Sequence, residues 1–100
     1  AAHFEAAQDL DGLDRKKEAL LHARIATELD PQNSNLWFFR GVLERQRADF
    51  ASAVTSQTRS IEINESLVAL NEREQCERRI GKTAEADADL RRMQQLAPQR

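Results

Sequence analysis

Apolar and small residues recur along this chain at steps of three and four. Ala19, Ala23, Ala26 and Leu29 lie on one such stripe. The same steps return at Ala53, Gln57, Ser60 and Ile63, and again at Ala86, Leu90, Met93 and Leu96. Side chains so spaced share one face of an α-helix. The leading alanines are 34 and 33 residues apart. A fixed period of this length denotes one supersecondary unit in three copies, none of which can bury its apolar side alone. The endings Leu29-Asp30-Pro31 and Leu96-Ala97-Pro98 match in outline, two periods apart.

The pattern predicts six helices in three pairs. They cover His3–Gly12 and Asp14–Leu29, Ser34–Gln46 and Asp49–Ile63, Ser66–Ile80 and Thr83–Ala97. Gly12 and Gly81 fall at turns inside a pair, where a left-handed residue ends a helix well. Asp14, Asp49 and Thr83 are placed to cap the helix that follows, and Asn33, Ser34 and Asn35 open another. Pro31 and Pro98 close a pair because proline cannot continue a helix. Every gap is short, so sequence neighbours run antiparallel. The connection after Ile63 is one residue shorter than the one after Leu29, which accounts for the change of period from 34 to 33. Units of approximately 1–33, 34–66 and 67–100 make a single repeat domain.

Composition narrows the function. The chain has 100 residues, 32% of them charged and 40% apolar, with three glycines and two prolines. That balance suits a helical domain with a modest core. A net charge of −2 leaves no basic face for nucleic acid. No run of 18 apolar residues is present, so no membrane insertion is expected. The chain has no initiating Met and opens almost within a helix, which reads as a segment of a longer protein; cytoplasmic location is slightly favoured and the Arg, Gln and Ala richness has a bacterial look. Cys76 has no second thiol and no His at ligand spacing, so it reads as a small helix residue. His3 and His22 lack partners for a metal, and no phosphate loop, nucleophile elbow or acid pair is visible. No cofactor, metal site or catalytic residue is expected.

The middle unit carries Trp37, Gly41 and Ala53 in the register W-x-x-L-G-x-x-Y followed by A-x-x-x-F and P. The first supplies Ala7, Ala19, Ala26 and Pro31, and the third Ala86, Leu90 and Pro98. In these positions the chain resembles the tetratricopeptide repeat family over essentially its whole length. It departs from the pattern at Arg40 for Leu, Glu44 for Tyr, Gln57 for Phe and Glu65 for Pro, and Glu74 stands where a small residue is expected. The resemblance implies an all-α fold in which three helix-turn-helix repeats stack as a short right-handed superhelix, an α-solenoid. It also implies a concave face, lined by the first helix of each pair, that binds a peptide or helix of a partner protein.

Candidate binding residues follow from the run Trp37-Phe38-Phe39. Three consecutive helical residues sweep about 200°, so they cannot share a face. Trp37 lies one turn from Gly41, at the seam with its partner helix. Phe39 aligns with Leu36 and Leu43, toward the neighbouring unit. Phe38 aligns with Val42 and Arg45 in a third direction, which in the resembled family faces the groove. One reading makes Phe38 and Val42 an apolar floor beside Phe4 and Gln8, with Arg45, Arg78 and Arg79 as a basic rim for a carboxylate. The other packs Phe38 against Phe4 between repeats. The carboxylate clamp of some family members would need Lys, Asn or Arg where this chain has Phe4, Gln8, Phe39, Val68 and Glu72, so that activity is not expected. The alternative function is a structural segment of a longer array, or self-association through open repeat ends.

Overall fold

In the computed structural model, residues 15–97 are described. Among them are five helices and no strand: α1 Lys16–Leu29, α2 Ser34–Gln46, α3 Phe50–Ile63, α4 Leu67–Arg79 and α5 Thr83–Leu96. Each helix packs chiefly on its neighbours in sequence, and α2 also touches α4. The chain is therefore all-α. The helix expected at His3–Gly12, with Gly12 and Asp14, lies outside the described residues.

Local chemistry sets most boundaries. Asn33 Oδ1 accepts the Asn35 amide at 3.1 Å, Asp49 Oδ1 that of Ser52 at 3.3 Å, and Ser66 Oγ that of Ala69 at 3.2 Å. Asp49 is thus the cap expected of it, and Ser66, expected as the first helical residue, is a cap too. Thr83 was expected to cap α5, but it sits inside the helix, and the cap position falls on Lys82 without a side-chain bond. The reason is the turn. Arg47-Ala48-Asp49 and Ile80-Gly81-Lys82 fold alike: the Asp49 amide donates to Glu44 O at 2.9 Å and the Lys82 amide to Glu77 O at 2.8 Å. Ala48 and Gly81 occupy the same left-handed position, at φ 62° and 81°. The sequence signals Gly81 there but not Ala48.

The helix stripes bury their small residues. Ala19, Ala53 and Ala86 are wholly buried, as are Ala69, Leu43 and nearly all of Leu70 and Cys76. Phe39 packs on the cluster of Ala19, Leu20, Ala23 and Leu43, as the Leu36–Phe39–Leu43 alignment predicts. The stripe ends differ from expectation. Leu29 is 71% exposed, Leu90 42% and Leu96 39%. Leu29 ends its helix beyond its neighbours' reach, and among the described residues no helix lies on the far side of α5. Ile80, expected as the last residue of its helix, is the C-cap of α4 and is exposed.

Gln57, in a position that the repeat pattern gives to Phe, is wholly buried against Gly41. Its Nε2 donates to Phe38 O at 3.0 Å. A methyl group on Gly41 would lie 2.9 Å from Gln57 Cδ, closer than such atoms approach. Gly41→Ala is expected to lose about 1–3 kcal/mol by displacing that amide. Ala48→Gly relieves a left-handed alanine and is expected to gain about 1 kcal/mol, or about 4–8 °C in melting midpoint. Urea and thermal unfolding followed by circular dichroism check both.

Candidate functional site

Two kinds of polar structure occur in this small core. The first is buried. Arg40 on α2 donates through Nε to Glu44 Oε2 at 3.3 Å and through Nη1 to Thr27 Oγ1 on α1 at 2.9 Å. Ser56 on α3 donates to Glu44 Oε1 at 2.5 Å. Thirty-three residues on, Arg73 on α4 donates to Asp89 Oδ2 and Oδ1 on α5 at 2.9 and 2.6 Å, reaches Thr58 Oγ1 on α3 at 3.2 Å, and lies 3.8 Å from Glu77. In both hairpins an arginine, a glutamate one turn on and a polar group on the second helix form one bracket. In both, the arginine also reaches back to a threonine of the preceding hairpin. Glu44 and Glu77 are almost fully buried.

The brackets differ in where the negative charge rests. Ser56 is a donor, so Glu44 accepts. Asp89 replaces it as an acceptor, and Arg73 aims its fork there instead. Burial works against ionisation of Asp89, but the two bonds from Arg73, helped by Glu77 and the Arg73 charge, override it and hold its carboxyl below the usual aspartate range. Glu77 is pushed up to about 8, first by burial and then by the neighbouring Asp89. A protonated Glu77 can donate to Asp89; an ionised one leaves a buried oxygen, Oε1, without a donor.

The second structure is open. Arg45, Arg78 and Arg79, expected as a basic rim, line one cleft of about 470 Å³ with Gln46, Phe50, Glu74 and Gln75. Arg45 is bonded to Glu72 Oε1 at 2.7 Å. Arg78 binds Glu74 and, at 2.9 Å, Asp87 Oδ1. Arg79 makes no ion pair among the described residues; its guanidinium rests 4.5 Å from the centre of the Phe50 ring. The rim is thus mostly neutralised internally, with a single guanidinium left over. Phe38 and Val42 are half-buried on α2, and Phe4 and Gln8 lie outside the described residues. Trp37 donates through Nε1 to Pro31 O at 2.9 Å, and the guanidinium groups of Arg40 and Arg59 lie 5.1 and 5.6 Å from its ring centre. Arg59 is on α3, in keeping with the seam expected for Trp37.

Sequence reasoning missed Phe50, Gln46 and Gln75. A signal for Phe50 was present: the positions matching it one period away are Lys16 and Thr83, so its ring is a surplus aromatic. At the other end, Leu67, Val68, Asn71, Met93, Gln94 and Ala97 line an almost wholly apolar opening of about 410 Å³. Cys76 is buried, and its thiol is pushed up to about 11 by burial and then by Glu72, which makes it a poor nucleophile at neutral pH. Among the described residues no helix is long and apolar enough to cross a membrane, and no group of three His, Cys, Asp or Glu could hold a metal ion. Neither the protein-family models nor the curated proteins compared with the chain match it.

The raised Glu77 pKa has a sign. The folded protein keeps a proton that the unfolded chain releases above its ordinary 4.5. That contribution is complete below pH 4.5 and is lost as pH climbs through about 8. The depressed Asp89 acts oppositely, but only in acid near and below its ordinary 3.8. Wild-type stability is therefore expected to fall between pH 5 and 9 by at least about 1.4 kcal/mol, the worth of one pKa unit. Glu77→Gln keeps a donor toward Asp89 and is expected to flatten that slope, as urea titrations across this pH range will show.

Proposed function

We propose that the chain is a helical-repeat scaffold of the tetratricopeptide type that binds a peptide or helix of a partner protein on the face carrying α2 and α4. The observation that carries this reading is the recurrence, 33 residues apart, of a partly buried arginine, a buried glutamate one turn on and a buried polar residue on the second helix, and of the turn between them. Two hairpins that place buried polar groups at the same positions and close with the same turn bond support reading them as copies of one unit. Their first helices touch, and Arg45–Glu72 joins them. A surface made by successive first helices is where stacked hairpins offer a continuous groove. In this reading Phe38 and Val42, which share a helix stripe with Arg45, line that groove, and the Arg45–Arg78–Arg79 cleft opens at its edge.

The apolar opening on α4 and α5 favours a second reading, in which the chain is one segment of a longer array or associates through its ends. Leu67 and Val68 remain exposed in it, and Leu90 and Leu96 are exposed on α5. A further hairpin or a second copy would cover them as α4 covers α3.

Ligands selected from a displayed peptide library test the first reading. Binding is expected to weaken at least about tenfold in Phe38→Ala/Val42→Ala, corresponding to about 1.4 kcal/mol, with helicity retained. Unchanged affinity would remove the groove from the account. Sedimentation across a wide concentration range tests the second reading: self-association suppressed by Val68→Glu supports it, and a strict monomer contradicts self-association.

A further inference from the structure

The cleft at the end of α4 holds a more specific arrangement, which rests on the binding-module reading. Three arginines enter it, and two are already committed: Arg45 to Glu72, and Arg78 to Glu74 and Asp87. Arg79 lies over the Phe50 ring at 4.5 Å. Stacking engages the face of a guanidinium and leaves its in-plane N–H fork to bond elsewhere. The ring therefore orients Arg79 without satisfying it. Beside it, Gln46 lines the same cleft, and its Oε1 is buried with no donor. That oxygen has no bond to give up, so the amide can turn to an incoming N–H at no loss of protein hydrogen bonds. Gln75 adds a second amide to the wall.

A planar donor fork and an acceptor in search of an N–H, set against an aromatic wall, match the groups of an extended peptide: a carboxylate and a backbone amide. Glu74 in the lining is held by Arg78, so Arg79 is the cleft's one unpaired cation among the described residues, enough for a single carboxylate. The cleft is also larger than a small anion requires. We infer that the cleft between the α2–α3 turn and the end of α4 takes an acidic peptide segment, with Arg79 donating to a side-chain carboxylate and Gln46 accepting a backbone N–H. This site lies at the turn edge of the hairpins and does not use Phe38 or Val42.

The test is an NMR titration of the ¹⁵N-labelled chain with acetyl-tetraglutamate amide, its tetraglutamine counterpart, and free glutarate at equal carboxylate concentration. The acidic peptide is expected to shift the Arg79 Nε–H, the Gln46 side-chain amide and the Phe50 backbone amide. Arg79→Gln, which breaks no ion pair, is expected to weaken binding about tenfold, and Arg79→Lys to fall between the two. Equal binding of tetraglutamine, equal binding by Arg79→Gln, or glutarate binding as tightly as the peptide would each overturn the inference. Absence of shifts at these groups overturns it as well. A lysine that binds as well as arginine overturns the stacked fork. Should library-selected ligands depend on Phe38 and Val42 yet ignore Arg79, this inference fails while the groove reading stands.

Discussion

Arg40 and Arg73 enter helix interfaces too narrow to hydrate them fully, and each must find its partners from within the protein. The need is strict because an unpaired buried charge is far costlier than a paired one. Each arginine meets it with a carboxylate of its own hairpin and a hydroxyl of the hairpin before: Glu44 and Thr27 for one, Asp89 and Thr58 for the other. One side chain thereby fixes both the pairing of helices within a hairpin and the approach of the next hairpin. The surrounding alanines allow close contact but do not choose a register. The brackets do, because a slip along the helix would strand a guanidinium. Glu44 and Glu77 also offer their carbonyls to the turns that begin α3 and α5, so the same residues anchor bracket and reversal.

One difference between the two hairpins redistributes the charge. A serine hydroxyl at 56 lets Glu44 accept, whereas a carboxylate at 89 draws the arginine across and leaves Glu77 holding a proton. The second hairpin is consequently the more sensitive to pH. It is also the one whose outer apolar side, Leu90 and Leu96, stands open. Both features place the less self-sufficient half of the described structure at α4 and α5.

The helices and their reversals could be read from the sequence because they depend on local signals. Asn33 and Asp49 carry caps that the sequence signals, Ser66 carries one that it does not, and the recurring alanines carry the contact stripe. The cap on α5 was misplaced by one residue because Lys82 occupies the place of Asp49 and offers no acceptor. Arg40, Glu44 and Gln57 read as departures from a repeat pattern built on apolar residues, since apolar periodicity cannot show which polar groups are buried together. Their logic was nonetheless present as an Arg-x-x-x-Glu pair at 40 and 44 that returns at 73 and 77, in step with the alanines. The basic rim was legible as three residues and not as a charge, because Glu72, Glu74 and Asp87 come from other turns and other helices. The left-over guanidinium of Arg79 emerges only once those partners are in place.

The bracket of the second hairpin is open to direct measurement by a double-mutant cycle with Arg73→Met and Asp89→Leu. Arg73→Met strands Asp89, which is nearly buried at this interface, and Asp89→Leu leaves Arg73 with only the more distant carboxylate of Glu77, at 3.8 Å. The account predicts that each single variant loses about 3–5 kcal/mol, that the double variant recovers much of it, and that the coupling is at least about 2 kcal/mol. A coupling below about 0.5 kcal/mol, the size typical of an exposed ion pair, would mean that these arginines do not hold the hairpins in place, and would contradict the account.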